Sequence, residues 1–152
     1  MDLDQTLVTK SAKETYRIGQ TLADSLMVKG TRMAHHMVCL YGELGSGKTT
    51  FVQGFAKGLG ISSRVLSPTF TIVRRYLLPQ GNAFLYHLDL YKTQTHDELE
   101  ELGIDELLAD PHSYVVIEWA DKLEDALPNA RIDIRFSLKA HGGHILNMHE
   151  VV

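Results

Sequence analysis

Cysteine is nearly missing from this chain of 152 residues: Cys39 is the only one, so no disulfide forms within it and no thiolate cluster is available for zinc. Set in an apolar run, that one thiol reads as a small core side chain rather than a nucleophile or a metal ligand. Long apolar runs are also missing, and no stretch reaches the length that spans a bilayer. Met1-Asp2-Leu3-Asp4 is acidic where a secretory leader would begin with basic residues, so a cytoplasmic protein with no membrane association is expected. A basic stripe is lacking too. Fifteen Lys and Arg stand against 19 Asp and Glu, the net charge is −4 and Arg74-Arg75 is the only adjacent basic pair. Direct tight binding of DNA or RNA by this chain alone is therefore disfavoured. The eight histidines show no metal-ligand spacing, and the adjacent His35-His36 would point to opposite sides of a strand. There is no repeat, linker or low-complexity segment. With 44% apolar and 22% charged residues, the composition is that of a single domain over residues 1–152, large enough to bury a core.

The most informative feature present is Gly42-Glu43-Leu44-Gly45-Ser46-Gly47-Lys48-Thr49-Thr50. It satisfies G-x-x-x-x-G-K-[ST], in which glycines let consecutive backbone N–H groups turn inward around a phosphate. The lysine then reaches the β- and γ-phosphates, and the Thr49 hydroxyl is placed to ligate Mg²⁺. The setting matches. Met37-Val38-Cys39-Leu40-Tyr41 is a buried-strand run directly before the loop, and Phe51, Phe55 and Leu59 recur at spacing four after it. A strand, a glycine loop and a helix N-terminus aimed at an anion are what phosphate binding requires.

The remaining pattern predicts an α/β domain. Ser11-Ala12-Lys13-Glu14 has capping-box spacing and opens a helix from about Ala12 to Met27, ended by Lys29-Gly30-Thr31-Arg32. Gly58 and Gly60 stop the second helix. A short strand is expected over Val65–Phe70, then a hairpin of Thr71–Leu77 and Ala83–Asp89 about Pro79-Gln80-Gly81-Asn82. Thr95-His96-Asp97-Glu98 is a second capping box, opening a helix stopped by Gly103 and followed by a helical turn from Asp105 to Leu108. Tyr114–Trp119 reads as a central strand covered on both faces, and Ile132–Leu138 and Ile145–Val151 as two more strands around His141-Gly142-Gly143. The fold class is a three-layer P-loop NTPase-like domain with a central mixed, mainly parallel sheet.

Nucleotide hydrolysis needs an acid for Mg²⁺ and a group that orients the attacking water. Glu118 ends an apolar strand, where a carboxylate emerges at the sheet edge beside the P-loop; the alternative is an acid merely capping that strand. Asp89, in His87-Leu88-Asp89-Leu90-Tyr91, also ends a strand run. It would contact the metal through water, position the nucleophilic water, or be a surface acid. Ser67-Pro68-Thr69 is either a switch loop sensing the γ-phosphate or a plain strand-to-turn proline. Trp119, the only tryptophan, packs in the core or stands beside the site. The acids Asp97, Glu98, Glu100, Glu101, Asp105 and Glu106 read as a solvated helix face.

Taken together, Tyr41–Phe51, Ser67-Pro68-Thr69-Phe70-Thr71, His87–Tyr91, Glu98–Gly103 and Ile117-Glu118-Trp119 resemble the bacterial TsaE (YjeE) family, in family order from about Ser11 to Leu146. The P-loop alone is generic; the other blocks are specific. The resemblance implies an ATPase, weak alone and stimulated by partners, that is needed for threonylcarbamoyladenosine modification of tRNA at adenosine 37. It implies action with a heterodimer of TsaB-like and TsaD-like proteins, whose turnover cycle it drives, and contact with tRNA only through that complex. The implied cofactors are ATP and Mg²⁺. Lys48, Asp89 and Glu118 are the implied catalytic residues, with Thr49 and Glu118 on the metal. Glu43, Leu44, Gly45, Ser46, Gly47, Lys48, Thr49 and Thr50 would bind the nucleotide, with Ser11 on the adenine side. Two departures stand out: Lys92 follows Asp-Leu-Tyr where the family commonly has Arg, and Gly142-Gly143-His144 replaces a frequent Gly-Arg, which leaves the base contacts open. A small-molecule kinase is the alternative, but the sequence lacks an Arg-rich lid. A third reading is a nucleotide-dependent binding module acting as a switch through Ser67 to Thr71.

Overall fold

A computed structural model describes residues 1–28, 36–68, 71–92 and 95–152, without the side chains of Val28, His96 and Glu124. The expected helix end at Lys29-Gly30-Thr31-Arg32, and His35, Thr69 and Phe70, lie outside the described residues. Two near-continuous apolar runs become the middle of the sheet. These are β2 (Met37–Tyr41) and β5 (Tyr114–Glu118), which pair in parallel and are almost wholly buried. β4 (Phe84–Asp89) runs parallel to β5, and β6 (Arg131–Leu138) runs parallel to β2. At the margins the pairing turns antiparallel. β3 (Val73–Leu77) closes one side as a hairpin with β4, while β7 (His144–Val151) and β1 (Gln5–Thr9) extend the other. The seven-stranded order is β1-β7-β6-β2-β5-β4-β3, a mixed sheet with a parallel centre.

Helices cover both faces of the centre, giving the three layers expected. α1 (Ala12–Val28) and α2 (Lys48–Gly58) pack on one face over Leu85, Val116, Ile134 and Leu146. α3 (His96–Glu101), α4 (Ile104–Ala109) and two short 3₁₀ turns near Ala120 and Glu124 cover the other, over Cys39, Leu88 and Ile117. α1 starts where the capping box places it, with Glu14 N–H donating to Ser11 Oγ at 3.2 Å. In α1, Thr15, Leu22 and Ala23 are buried on the stripe that meets α2. Gly54 sits at the crossing: a Cβ there would overlap the Tyr16 carbonyl oxygen and stand 2.7 Å from its carbon. The two helices therefore approach with backbone against backbone, and this fixes where α2 and the loop before it lie.

Two elements depart from the sequence reading. β1 was not foreseen. Residues 65–68, expected as strand, are not strand. Pro68 has no N–H to give a ladder, and the neighbouring backbone groups go to side chains instead: Gln53 Nε2 donates to Val65 O at 3.3 Å and Leu66 N–H to Tyr76 Oη at 3.2 Å.

Candidate functional site

The parallel strands β2, β5 and β4 end on the same edge of the sheet, so the loop after β2, Glu118 at the end of β5 and Asp89 at the end of β4 converge there. Glu118 and Asp89 are direct partners in the β4–β5 register, which puts both carboxylates on the α1–α2 face. Both are buried, at 3% and 5% exposure.

Gly47 precedes α2 at φ 103°, a left-handed conformation that side chains rarely adopt, and no side chain caps the helix. The first N–H groups of this 11-residue helix are therefore left for a ligand, and they open on a cavity of about 290 Å³. Leu44 to Thr50, Ser67, Asp89, Glu118 and Trp119 form its wall, with Ala12, Thr15 and His144 also on it. Of the residues expected to bind nucleotide, two stand off that wall. Ser11 uses its hydroxyl to cap α1, while its neighbour Ala12 lines the cavity. Glu43 contributes its carbonyl, which accepts from Lys48 Nζ at 2.9 Å.

Lys48 folds over the loop. Its ammonium donates to the carbonyls of Gly42 and Glu43 and to Ser46 Oγ, and lies 4.6 Å from the centre of the Trp119 ring. Burial holds its pKa below the ordinary lysine value, against the opposing pull of Glu118, Asp89 and Glu43. A buried cation held by neutral acceptors has the most to gain from phosphate oxygens. Trp119 is thus a site residue rather than only core, kept there by a left-handed backbone at φ 59° and packed with its ring centre 5.0 Å from that of Tyr91, the planes tilted by 41°.

Thr49 Oγ1 donates to Glu118 Oε1 at 3.0 Å, and Asp89 accepts from Tyr91 N–H at 3.0 Å and from Ser67 Oγ at 3.5 Å. A hydroxyl and two carboxylates at a phosphate cradle are hard oxygen donors, which suits Mg²⁺. Among the described residues no group of three or more His, Cys, Asp or Glu is arranged to hold a metal ion. The hydroxyl and carboxylate oxygens themselves fit an ion that takes one or two carboxylates and completes its shell with phosphate and water. The acids of α3 and α4 expected on a solvated face are all exposed.

Sequence reasoning missed two histidines. His87 is fully buried, with Nε2 2.6 Å from Glu118 Oε2; its signal was a polar residue at an inward position of an apolar strand. His144 opens β7 on the cavity wall, and its Nδ1 is 3.7 Å from where a Gly47 Cβ would be. No described helix is long and apolar enough to cross a membrane.

A family model described as threonylcarbamoyl adenosine biosynthesis protein TsaE matches residues 9–145. A Bacillus subtilis protein named tRNA threonylcarbamoyladenosine biosynthesis protein TsaE is 46% identical over 98 residues, which span 64% of this chain and 59% of that protein. A protein of the same name from Treponema pallidum is 35% identical over 135 residues, 89% of this chain and 93% of that one. Among solved structures, Bacillus subtilis YdiB superposes over 100% of this chain and 90% of its own, at 29% identity and a TM-score of 0.73.

Proposed function

The chain belongs to the TsaE family of threonylcarbamoyl adenosine biosynthesis proteins, and from that membership we propose that it is a Mg²⁺-dependent P-loop ATPase serving threonylcarbamoyladenosine modification of tRNA. It works with TsaB-like and TsaD-like proteins, which carry the transfer itself and meet the tRNA. The observation that carries the ATPase reading is the contact of Thr49 Oγ1 with Glu118 at 3.0 Å, beside an uncapped P-loop helix and a lysine held on exchangeable carbonyls.

In this reading the N–H groups at the start of α2 donate to phosphate oxygens, and Lys48 leaves Gly42 and Glu43 for the β- and γ-phosphates. Thr49 and Glu118 would hold Mg²⁺, which would supply positive charge against the charge that develops on the phosphates during transfer. Asp89, paired in register with Glu118, faces the same space and orients the attacking water. Almost all of the catalytic work is positioning and electrostatics, which suits a site made of buried, pre-oriented groups.

Phosphate release from ATP, with and without Mg²⁺, tests this directly. The wild-type chain should release phosphate slowly, and Lys48→Ala should abolish nucleotide binding. Wild-type turnover that Lys48→Ala leaves intact would show that the loop is not the site. Transfer of the phosphate to an added small-molecule acceptor, rather than to water, would favour a kinase.

A further inference from the structure

Glu118 cannot hold a cation by its position on β5 alone, because its carboxylate has a broad terminal torsion and Asp89 lies directly opposite in the register. Like charges on paired positions repel, so the register alone does not fix the direction of the Glu118 carboxylate. It is restrained instead by a residue to which no role has been given. His87 lies two residues before Asp89 on β4, on the same face of the sheet, and so reaches Glu118 diagonally. Its Nε2 is 2.6 Å from Glu118 Oε2, while Glu118 Oε1 receives the Thr49 hydroxyl at 3.0 Å. The imidazole thus holds Oε2, and the Thr49 hydroxyl sits nearer Oε1, at 3.0 Å against 3.4 Å to Oε2. In the tautomer that donates from Nε2 to this carboxylate, Nδ1 is the acceptor. That Nδ1 is buried with no hydrogen-bond partner among the described residues. An apolar side chain packed between Leu85 and Val116 would avoid the cost of this orphaned atom. The position nevertheless carries a histidine, and among the described residues the one polar contact of its imidazole is with Glu118.

We propose that His87 is a positioning residue for Mg²⁺: its imidazole N–H fixes the Glu118 carboxylate so that the oxygen beside Thr49 is presented to the cation. This rests on the reading of the site as a Mg²⁺–nucleotide site. Partners of this kind fix ligand orientation, and their loss costs roughly 10- to 100-fold in metal affinity.

The test follows fluorescent mant-ATP binding to the full chain as MgCl₂ is titrated, and again in EDTA. His87→Leu should raise the Mg²⁺ midpoint roughly tenfold or more and leave mant-ATP affinity in EDTA near the wild-type value. His87→Gln, whose amide nitrogen is as many bonds from Cα as Nε2, should restore the midpoint; His87→Asn, one bond shorter, should not. In a Glu118→Ala background, His87→Leu should add nothing further. An unmoved midpoint in His87→Leu, an equal loss in EDTA, or an additive effect in the double variant would overturn the positioning role. If His87→Leu does not fold, the contrast between Gln and Asn decides, and equal midpoints for those two overturn it. A wild-type chain that binds mant-ATP in neither condition would instead overturn the Mg²⁺–nucleotide reading, and this proposal with it.

Discussion

Replacing Glu118 with Gln isolates the charge of the proposed metal ligand from its shape. The side chain is 3% exposed and is held by Thr49 at 3.0 Å and His87 at 2.6 Å. Gln fills the same volume, so no cavity opens, and stability should change by no more than about 1–2 kcal/mol from the altered hydrogen bonds. The cation loses one charged oxygen. A contact made to a charged group is worth about 1.5–3 kcal/mol, which corresponds to roughly 10- to 150-fold weaker Mg²⁺. Turnover should fall further, by about 10²- to 10³-fold, as when one pre-oriented stabiliser of developing charge is removed. The assay is phosphate release at saturating ATP across a MgCl₂ titration, with nucleotide affinity in EDTA as the control. Binding in EDTA should change little, because the P-loop amides and Lys48 are untouched. Turnover within about fivefold of wild type, at an unchanged Mg²⁺ midpoint, would refute the assignment of Glu118 to the metal.

Four further outcomes follow from the structure. ATP should draw the Lys48 ammonium off the Trp119 ring, so emission of this single tryptophan should shift on binding, and Lys48→Ala should abolish the shift. Because burial lowers the Lys48 pKa and phosphates bind the ammonium form, nucleotide affinity should fall as pH rises through a value below that of free lysine; a fluorescence titration from about pH 7 to 10 reads this. Gly54→Ala should destabilise by about 1–3 kcal/mol, since the new Cβ meets the Tyr16 backbone, lowering the melting temperature by roughly 2–4 °C per kcal/mol. Burial pushes the Cys39 thiol from 9.0 up to about 12, so native protein should resist alkylation near pH 8 and react only on unfolding. The sign for stability follows: Cys39's contribution is complete below the unfolded value and is lost as pH rises toward the folded one.

The parts of the fold that sequence made legible are those where one local signal decides. β2 and β5 are continuous apolar runs because both faces are covered, and Ser11, Thr95 and Gly60 mark helix ends through their own hydrogen bonds or backbone freedom. β1 was not legible because it is defined by a partner far along the chain, Leu7 opposite Leu146, and its own burial only alternates. The strand expected from Val65 gave way to side-chain partners at Gln53 and Tyr76, which no local pattern reveals. In the site, Lys48, Thr49, Asp89 and Glu118 were legible because a glycine loop and two strand ends each announce themselves, and parallel pairing gathers them at one edge. His87 was not, because its meaning comes from the β4–β5 register, which places it diagonal to Glu118. His144 was read only as a departure at a turn, whereas the β6–β7 hairpin carries it to the cavity wall.

In the proposed function, ATP turnover at Lys48 would drive the cycle of a tRNA-modifying complex rather than serve the chain alone. Reconstitution with the TsaB-like and TsaD-like proteins, counting threonylcarbamoyladenosine formed per complex while phosphate release is followed, tests it most directly. The partners should raise phosphate release markedly, and repeated rounds of modification should require wild-type chain and ATP while Lys48→Ala stalls them. Equal phosphate release with and without the partners, or repeated modification supported by Lys48→Ala, would contradict it.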